Sequence, residues 1–261
     1  MDAKKFESLR QYQGEDQVVT SHELRLSLNR EKSAEYVNVK SKIPSLDEAL
    51  DGFRDGELIT ISGPTKNGKT LLAQTLTVNF ARQTIFPLWF SFEVPARQFL
   101  SQFPEMPLIY MPGKLKPRAM DWFEDRVFES FLKYNSRIIF IDHLHYLVDL
   151  ARQAQMSIEI GTIIRRLKTL AVQGNFVIFL LCHTKKGSSE GPLSFESLRD
   201  SSFIAQESDC VIMVKRTPEF GENTARARVE FHRRTGVMER VIYLQKTDGL
   251  LVERVPFPEE T

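Results

Sequence analysis

The sequence is poor in cysteine. Its 261 residues include only Cys182 and Cys210, and these two show no CxxC spacing. Such usage excludes a disulfide framework or a cysteine-rich zinc site, and it is typical of proteins in a reducing compartment. No disulfide is therefore expected.

Long apolar runs and an excess of one charge are also missing. No run approaches the roughly 18 apolar residues that span a bilayer, and the first 17 residues lack the apolar core of a signal peptide. With the cysteine usage, this predicts a soluble, cytoplasmic protein with no membrane partner. The 35 basic and 34 acidic residues leave a net charge of +1, which excludes a polycation. Any contact with nucleic acid is therefore expected to be local and made through loops.

Residues 1–40 are polar and form, in this interpretation, an N-terminal arm. Thr20 and Glu23 have the spacing of a helix capping box, and Leu24 and Leu28 then fall on one helical face. Because so short a helix is not stable alone, we expect it to dock on its own domain or on a neighbouring copy.

Residues 41–261 are predicted to form one α/β domain. Four continuous apolar runs, typical of parallel strands covered on both faces, are separated by helical stretches. They are "ELITIS" (57–62), "FPLWFSF" (86–92), "RIIFI" (137–141) and "FVIFLLC" (176–182). After "DCVIMVKR" (209–216) the runs are short and closely spaced, which favours an antiparallel meander. The predicted fold is a central, mostly parallel sheet flanked by helices, with that meander at its edge.

The segment "GPTKNGKT" (63–70) lies between the first strand and a helical stretch. This is the context of a P-loop, in which backbone N–H groups at a helix N-terminus converge on phosphate oxygens. Lys69 is expected to reach the terminal phosphates, and the Thr70 hydroxyl to bind Mg²⁺. The predicted nucleotide-binding residues of this segment are Gly63, Pro64, Thr65, Lys66, Asn67, Gly68, Lys69, Thr70 and Leu71.

Two carboxylates end apolar runs. Asp142 follows "RIIFI", at the edge of the sheet where α/β proteins bind ligands, and it can hold Mg²⁺; the alternative is a helix N-cap. Glu93 ends "LWFSFE", on a strand expected beside the P-loop strand, and it is the candidate general base because His143 rather than an acid follows Asp142. The alternative for Glu93 is an exposed carboxylate at a helix start before Pro95.

Six motifs in order resemble the RecA-like motor domain of hexameric DnaB-type replicative helicases, including the phage primase-helicase branch. They are "IPSLDEALDGFRDGEL" with "GPTKNGKT", "SFEVPARQF", "IIFIDHLHYL", "FLLCHTKK", "SLRDSSFIAQESDCVIMVKR" and "VEFHRRTG". The resemblance covers about residues 40–255. It implies a RecA-like P-loop NTPase that uses ATP and Mg²⁺ and forms a ring, expected to be a homohexamer.

The resemblance also implies roles for single residues. Glu93 would orient the attacking water, Asp142 would act on the Mg²⁺ side, and His183 would sense the γ-phosphate. Arg234 in "HRRTG" matches the arginine finger that enters the ATP site of the next subunit, and Arg216 resembles the residue that packs on the nucleobase. The alternatives are ordinary ones: a polar strand end for His183 and a solvated edge-strand charge for Arg234.

One position departs from the family pattern. Two residues before Arg234 the family usually has lysine, and this chain has His232. Because histidine carries charge only part of the time near neutral pH, the contribution to the neighbouring site is expected to be weaker or to fall to Arg233.

The stretch 185–206 resembles the pore loop that grips single-stranded DNA. Lys185, Lys186 and Arg199 can meet phosphates, and with only Phe195 and Phe203 as aromatics we expect backbone contacts rather than base reading. A surface loop with incidental lysines is the alternative.

The resulting hypothesis is a DNA helicase motor moving 5′ to 3′ on single-stranded DNA, with a loader or primase as a possible partner. Residues 1–40 are too short for the usual N-terminal domain of the family, so a motor domain alone is expected. Two other functions stay open: a RecA-like DNA-dependent ATPase of recombination or repair without unwinding, and an ATP-binding assembly protein that regulates without turnover.

Overall fold

The computed structural model describes residues 3–14, 17–30, 37–148, 156–183 and 201–260. The chain divides into two units, Met1–Tyr36 and Val37–Thr261. No helix within the described residues is long and apolar enough to cross a membrane.

The smaller unit contains helices α1 (Ala3–Arg10) and α2 (Ser21–Arg30). The predicted capping box is present at α2: the Thr20 N–H and hydroxyl both donate to Glu23 Oε2, at 2.9 and 2.7 Å, and the Glu23 N–H donates back to the Thr20 hydroxyl at 3.2 Å. Two orphan donors of the helix start are thereby satisfied. Helix α1 has no counterpart in the sequence-based prediction.

The larger unit is built on an eight-stranded sheet. Its elements in chain order are β1 (Asn38–Val39), α3 (Pro44–Leu50), β2 (Phe53–Arg54), β3 (Leu58–Gly63), α4 (Lys69–Ala81), β4 (Leu88–Ser91), α5 (Ala96–Leu100), α6 (Met120–Tyr134), β5 (Ile138–Asp142), α7 (Met156–Gly174), β6 (Val177–His183), α8 (Ser201–Glu207), β7 (Cys210–Arg216), β8 (Thr224–His232), β9 (Met238–Thr247) and β10 (Leu250–Glu253). Strands β1 and β2 form a separate antiparallel pair.

The strand order in the main sheet is β10-β9-β8-β7-β3-β6-β5-β4. Strands β4, β5, β6, β3 and β7 are parallel, while β8, β9 and β10 continue the sheet as an antiparallel meander. The predicted fold class is therefore confirmed. All four apolar runs form parallel strands, because helices cover both faces of the sheet and leave no polar face to alternate with.

Two apolar cores lie on the two faces. Residues from α3, α4 and the meander join one core, and residues from α6 and α7 join the other. In the first, the ring of Phe140 is stacked between Trp89 and Phe179, with centroids 4.6 and 4.5 Å away. This packing fixes β4, β5 and β6 side by side, so their carboxyl ends form one rigid edge.

Candidate active site

The segment after β3 has the backbone shape of a phosphate-binding loop. Gly63 has φ +151°, and a Cβ built on it would lie 2.1 Å from the carbonyl oxygen of Val214 in β7. Gly68 has φ +94° and is the N-cap of α4, which begins at Lys69. Glycine is therefore required at position 63 by a close backbone approach and at position 68 by a left-handed turn. The loop ends at a helix N-terminus, whose N–H groups favour anions.

The Lys69 side chain is buried and held by the loop itself. Its ammonium donates to the carbonyl oxygens of Gly63 at 3.0 Å and Pro64 at 2.8 Å. Burial lowers the pKa of Lys69, and the charges of Asp142 and Glu93 oppose that shift. The structure thus places a desolvated cation at the phosphate-binding loop.

Thr70 and Asp142 meet at the carboxyl end of the sheet. The Thr70 hydroxyl donates to Asp142 Oδ2 at 3.1 Å. Burial and the negative charge of Glu93 raise the pKa of Asp142 to about 6, against the opposing effects of Thr70 and Lys69. A buried carboxylate that is costly to ionise beside a hydroxyl suits a hard divalent cation, because Mg²⁺ prefers oxygen ligands. The residues present therefore fit Mg²⁺ at this point.

Glu93 reaches the same site from the end of a strand whose position in the sheet was predicted wrongly. It was expected beside the P-loop strand, but β4 is the edge strand, and β6 and β5 lie between it and β3. The site still includes Glu93, because the Phe92 N–H donates to the Asp142 carbonyl at 2.7 Å and the Glu93 charge acts on Asp142. Its side chain is 40% exposed, as a carboxylate that orients water requires.

His183 ends β6, directly beside the P-loop strand, where it pairs with Gly63. Its Nε2 lies 3.9 Å from Glu93 Oε2, so the candidate sensor and the candidate base are neighbours. Lys69, Thr70, Glu93, Asp142 and His183 are thus brought together at one edge.

The sequence-based reasoning missed a histidine cluster next to this edge. The His143 ring lies 4.5 Å from the His183 ring between centroids, and His143 Nδ1 lies 3.2 Å from His145 Nδ1. Ligand atoms of Glu93, His143 and His183 all lie within 4.8 Å of one another. Two imidazoles and a carboxylate suit zinc-like ions rather than Mg²⁺, so Thr70 and Asp142 stay the predicted ligands of Mg²⁺. The alternating "HLH" after a strand was the available signal.

A cavity of about 240 Å³ adjoins the loop beside Arg216 and is lined by Lys66, Gly68 and Leu71 among others. The Arg216 N–H donates to Asn67 Oδ1 at 3.0 Å, and its guanidinium donates to the Glu222 carbonyl at 2.8 Å. The cavity is placed to receive the part of a nucleotide beyond its phosphates. A larger cavity of about 400 Å³ lies between the segment 110–116 and α6, and none of the residues of the site lines it.

Arg234 lies at the amino ends of the parallel strands, whereas the P-loop lies at their carboxyl ends. Strand β8 runs antiparallel to β7, and His232 at its end pairs with Cys210 at the start of β7. Since β3 alone spans roughly 16 Å at about 3.3 Å per residue, Arg234 cannot contact the P-loop of its own chain. Its Nε donates to Glu57 Oε1 at 2.7 Å, just before β3.

The side chains of His232 and Arg233 both contact residues of their own chain. His232 is 2% exposed, and its ring nitrogens lie 2.8 Å from the Thr235 hydroxyl and 3.2 Å from Glu57 Oε1. Because it is buried, the ring of His232 does not project from the surface of the chain. The Arg233 guanidinium donates to the carbonyl of Gln206.

The predicted DNA-binding residues Lys185, Lys186 and Arg199 lie outside the described residues. Phe203, in α8, is described and packs against α7, where its ring lies 3.0 Å from the position of a Cβ built on Gly161. That ring therefore belongs to the packing of α8 on α7.

Comparison with known proteins gives a consistent result. A family model described as the DnaB-like helicase C terminal domain matches residues 115–247, a range that contains Asp142, His183, Arg216 and Arg234. Among solved structures, one described as an ATPase domain has a TM-score of 0.78 and 17% identity, and the match covers 91% of this chain and 100% of that chain. Another, described as a DnaB-like replicative helicase and its interactions with primase, has a TM-score of 0.76 and 17% identity, with 89% and 68% covered. At such identities the structural likeness shows the fold alone.

Proposed function

Since the chain belongs to the family of DnaB-like helicase C-terminal domains, we propose that it is an ATP-hydrolysing motor that moves along single-stranded DNA in a ring of identical subunits. The family membership confirms the resemblance in the motifs and supports a replicative helicase motor. The proposal adds a hexameric ring, movement 5′ to 3′ and active sites shared between subunits.

One observation supports the shared site: its two halves lie at opposite ends of the parallel strands. The P-loop, Asp142 and Glu93 follow the carboxyl ends of parallel strands, whereas Arg234 follows β8 at the amino ends. An arginine that stabilises the charge developing on a transferred phosphoryl must touch it. Arg234 can therefore serve only the site of a neighbouring copy, which a ring or filament supplies.

Each residue of the site has a role in this proposal. Lys69 and the N–H groups of the loop bind the phosphates of ATP, and Thr70 and Asp142 hold Mg²⁺. When bound, Mg²⁺ neutralises charge on the phosphate oxygens. Glu93 orients and deprotonates the attacking water, and its neighbour His183 senses whether the terminal phosphate is present. Arg216 borders the nucleobase.

The proposal also includes the partners of the motor. Lys185, Lys186 and Arg199 follow the phosphates of single-stranded DNA, and a primase or a loader binds the ring, in keeping with a structural neighbour described with its primase. We place the activity in the cytoplasm, in keeping with the buried, unpaired Cys182 and Cys210.

Mixing two inactive variants tests the shared site. Arg234→Ala keeps its own P-loop, while Lys69→Ala keeps a working arginine. If sites are shared, each variant alone hydrolyses ATP very slowly, and the mixture recovers activity at sites built from one good half of each. A mixture as inactive as its components, with assembly verified by sedimentation, would reject the shared site.

Two assays on the unaltered protein test the motor. Single-stranded DNA should stimulate ATP hydrolysis, and a forked duplex with a 5′ tail should be unwound. Stimulated hydrolysis without unwinding would instead indicate a DNA-dependent ATPase, and assembly without turnover would indicate a regulatory protein.

A further inference from the structure

Glu57 is a buried carboxylate that the proposed reaction leaves without a role. It lies directly before β3, at the edge of the sheet away from the P-loop, and is 6% exposed. Its Oε2 accepts the Arg54 N–H at 2.8 Å, and its Oε1 accepts from Arg234 Nε at 2.7 Å and lies 3.2 Å from His232 Nε2. One oxygen therefore contacts two side chains of the "HRR" segment, those of His232 and Arg234.

The guanidinium of Arg234 is held by hydrogen bonds at two of its three nitrogens. Its Nε contacts Glu57, and its Nη2 donates to the carbonyls of Leu50 at 2.7 Å and Gly52 at 2.8 Å. The third nitrogen, Nη1, lies 3.7 Å from the half-exposed carboxylate of Asp51. Because a guanidinium is a rigid plane of five donors, fixing Nε and Nη2 also fixes where Nη1 points.

The charge on Glu57 is maintained although the group is buried. Burial alone would raise the pKa of Glu57, but hydrogen bonds from His232, the Arg54 N–H and Arg234 outweigh it and lower the pKa. An ionised carboxylate makes a shorter and stronger hydrogen bond to arginine than a neutral group does. His232 is anchored in turn by Thr235, at 2.8 Å.

We propose that Glu57 is a positioning residue for the shared active site: it holds the guanidinium of Arg234 in the orientation in which it meets the phosphates bound by the neighbouring subunit, and His232 fixes Glu57 for this purpose. The inference rests on the proposed role of Arg234. It explains why this chain has a buried histidine two residues before Arg234: the ring orients the carboxylate of Glu57 within its own subunit. Preorganised donors cost no reorganisation at the moment of reaction.

Glu57→Gln tests this role. Without the charge the guanidinium turns away from its fixed orientation, and we expect kcat for ATP hydrolysis to fall roughly 10- to 100-fold. The KM for ATP should hardly change, because the P-loop of the same chain lies at the other end of β3 from Glu57. Glu48→Gln is the matched control, since it removes another carboxylate that binds an arginine, Arg240 at 3.0 Å, at an exposed position. It should leave kcat unchanged.

Mixing experiments separate positioning from a purely structural role. Mixed with Lys69→Ala, Glu57→Gln should regain activity, because Lys69→Ala contributes an intact Glu57 and Arg234. Mixed with Arg234→Ala, Glu57→Gln should regain no activity, because both variants lack a correctly placed arginine for the neighbouring site. The double variant Glu57→Gln, Arg234→Ala should be no slower than Arg234→Ala alone, since a residue that acts through another gives a non-additive cycle. A simple loss of stability would give none of these patterns.

The outcomes are distinguishable from failure of the proposed function. If Arg234→Ala with Lys69→Ala recovers activity but Glu57→Gln with Lys69→Ala does not, only the role of Glu57 is overturned. Wild-type kcat in Glu57→Gln overturns it as well. If neither mixture recovers activity, the shared site itself is rejected. Should Glu57→Gln fail to fold, His232→Leu replaces it in the same mixtures, with a smaller loss of kcat expected and the same pattern required.

Discussion

The Thr70 hydroxyl donates a hydrogen bond of 3.1 Å to Asp142 Oδ2, so the first turn of α4 and the end of β5 are joined where Mg²⁺ is proposed to bind. The carboxylate is 3% exposed. Its ionisation is costly without a cation, which links the binding of Mg²⁺ to the protonation of this one group.

Asp142 should make stability depend on pH in an unusual direction. Its pKa rises to about 6 in the folded protein from about 3.9 in an unfolded chain. The folded state therefore binds the extra proton more tightly, and the free energy of unfolding falls as pH rises through this window, by an amount on the order of 2–3 kcal/mol. Above about 6 the contribution is constant.

Asp142→Asn measures this contribution, because the amide does not titrate. Relative to wild type, the variant should gain stability between pH 4 and pH 6 in urea denaturation without Mg²⁺, and the difference should then stay level. The control is Asp121→Asn, which removes a largely exposed carboxylate. A stability difference that does not change with pH would show that the pKa of Asp142 is the same in the folded and the unfolded protein.

Glu93→Gln should separate binding from turnover. ATP affinity should be kept, since the loop is proposed to hold the phosphates. The value of kcat should fall by a factor on the order of 10² or more, because the group proposed to orient and deprotonate the water is lost. The measurement is kcat at saturating ATP with single-stranded DNA, beside nucleotide affinity. Glu105→Gln, at an exposed carboxylate paired with Arg82, is the control. A loss of only a few-fold would assign the base elsewhere.

The strands could be predicted because continuous apolar runs bounded by polar residues are typical of a covered parallel sheet. Their spatial order could not, because chain order does not say which parallel strand lies beside which. Glu93 was for that reason assigned to a strand next to the P-loop strand, although β6 and β5 intervene. Its nearness to His183 comes from the common carboxyl edge of the strands, which the sequence does predict.

Contacts between residues far apart in the chain could not be predicted from the sequence either. Glu57 and Arg234 are 177 residues apart in the chain, and nothing in the segment "GELIT" indicates that its glutamate binds the arginine of "HRRTG". The alternating histidines at 143 and 145 were visible in the sequence, but their closeness to His183 on another strand was not. The roles of the site residues, and of the loop that contains Lys185, stay predictions.

Gly63→Ala should test the close approach of β3 and β7. A Cβ at this position would lie 2.1 Å from the Val214 carbonyl oxygen, and φ is +151°, so both a clash and backbone strain result. We expect a loss of roughly 2–4 kcal/mol in the free energy of unfolding, measured by urea denaturation, together with weaker ATP binding.

Two glycines provide matched controls for this substitution. Gly236 has φ +71° but no atom within 4 Å of its added Cβ, whereas Gly113 has neither a positive φ nor a neighbour within that distance. The losses should therefore rank Gly63→Ala above Gly236→Ala and Gly236→Ala above Gly113→Ala. Equal stability of Gly63→Ala and Gly113→Ala would contradict the close approach of the two strands.

The loop that contains Lys185, Lys186 and Arg199 is proposed to hold single-stranded DNA through phosphates. Removing all three cations together should weaken DNA binding. Each phosphate contact on a single strand contributes about −0.7 to the slope of log K against log salt. Losing three contacts should therefore flatten that slope by about 2, as measured by fluorescence anisotropy at several salt concentrations. ATP affinity should hardly change, because the P-loop is unaltered.

The control for this triple variant changes the net charge by the same amount at a different place. Arg82, Lys114 and Lys116 are exposed cations outside the active site, and replacing them together lowers the general attraction of the chain for a polyanion without touching the loop. If binding is local, only the loop variant changes the salt slope. Equal effects of the two variants would mean that DNA responds to net charge alone, and unchanged binding by the loop variant would make its lysines incidental surface residues.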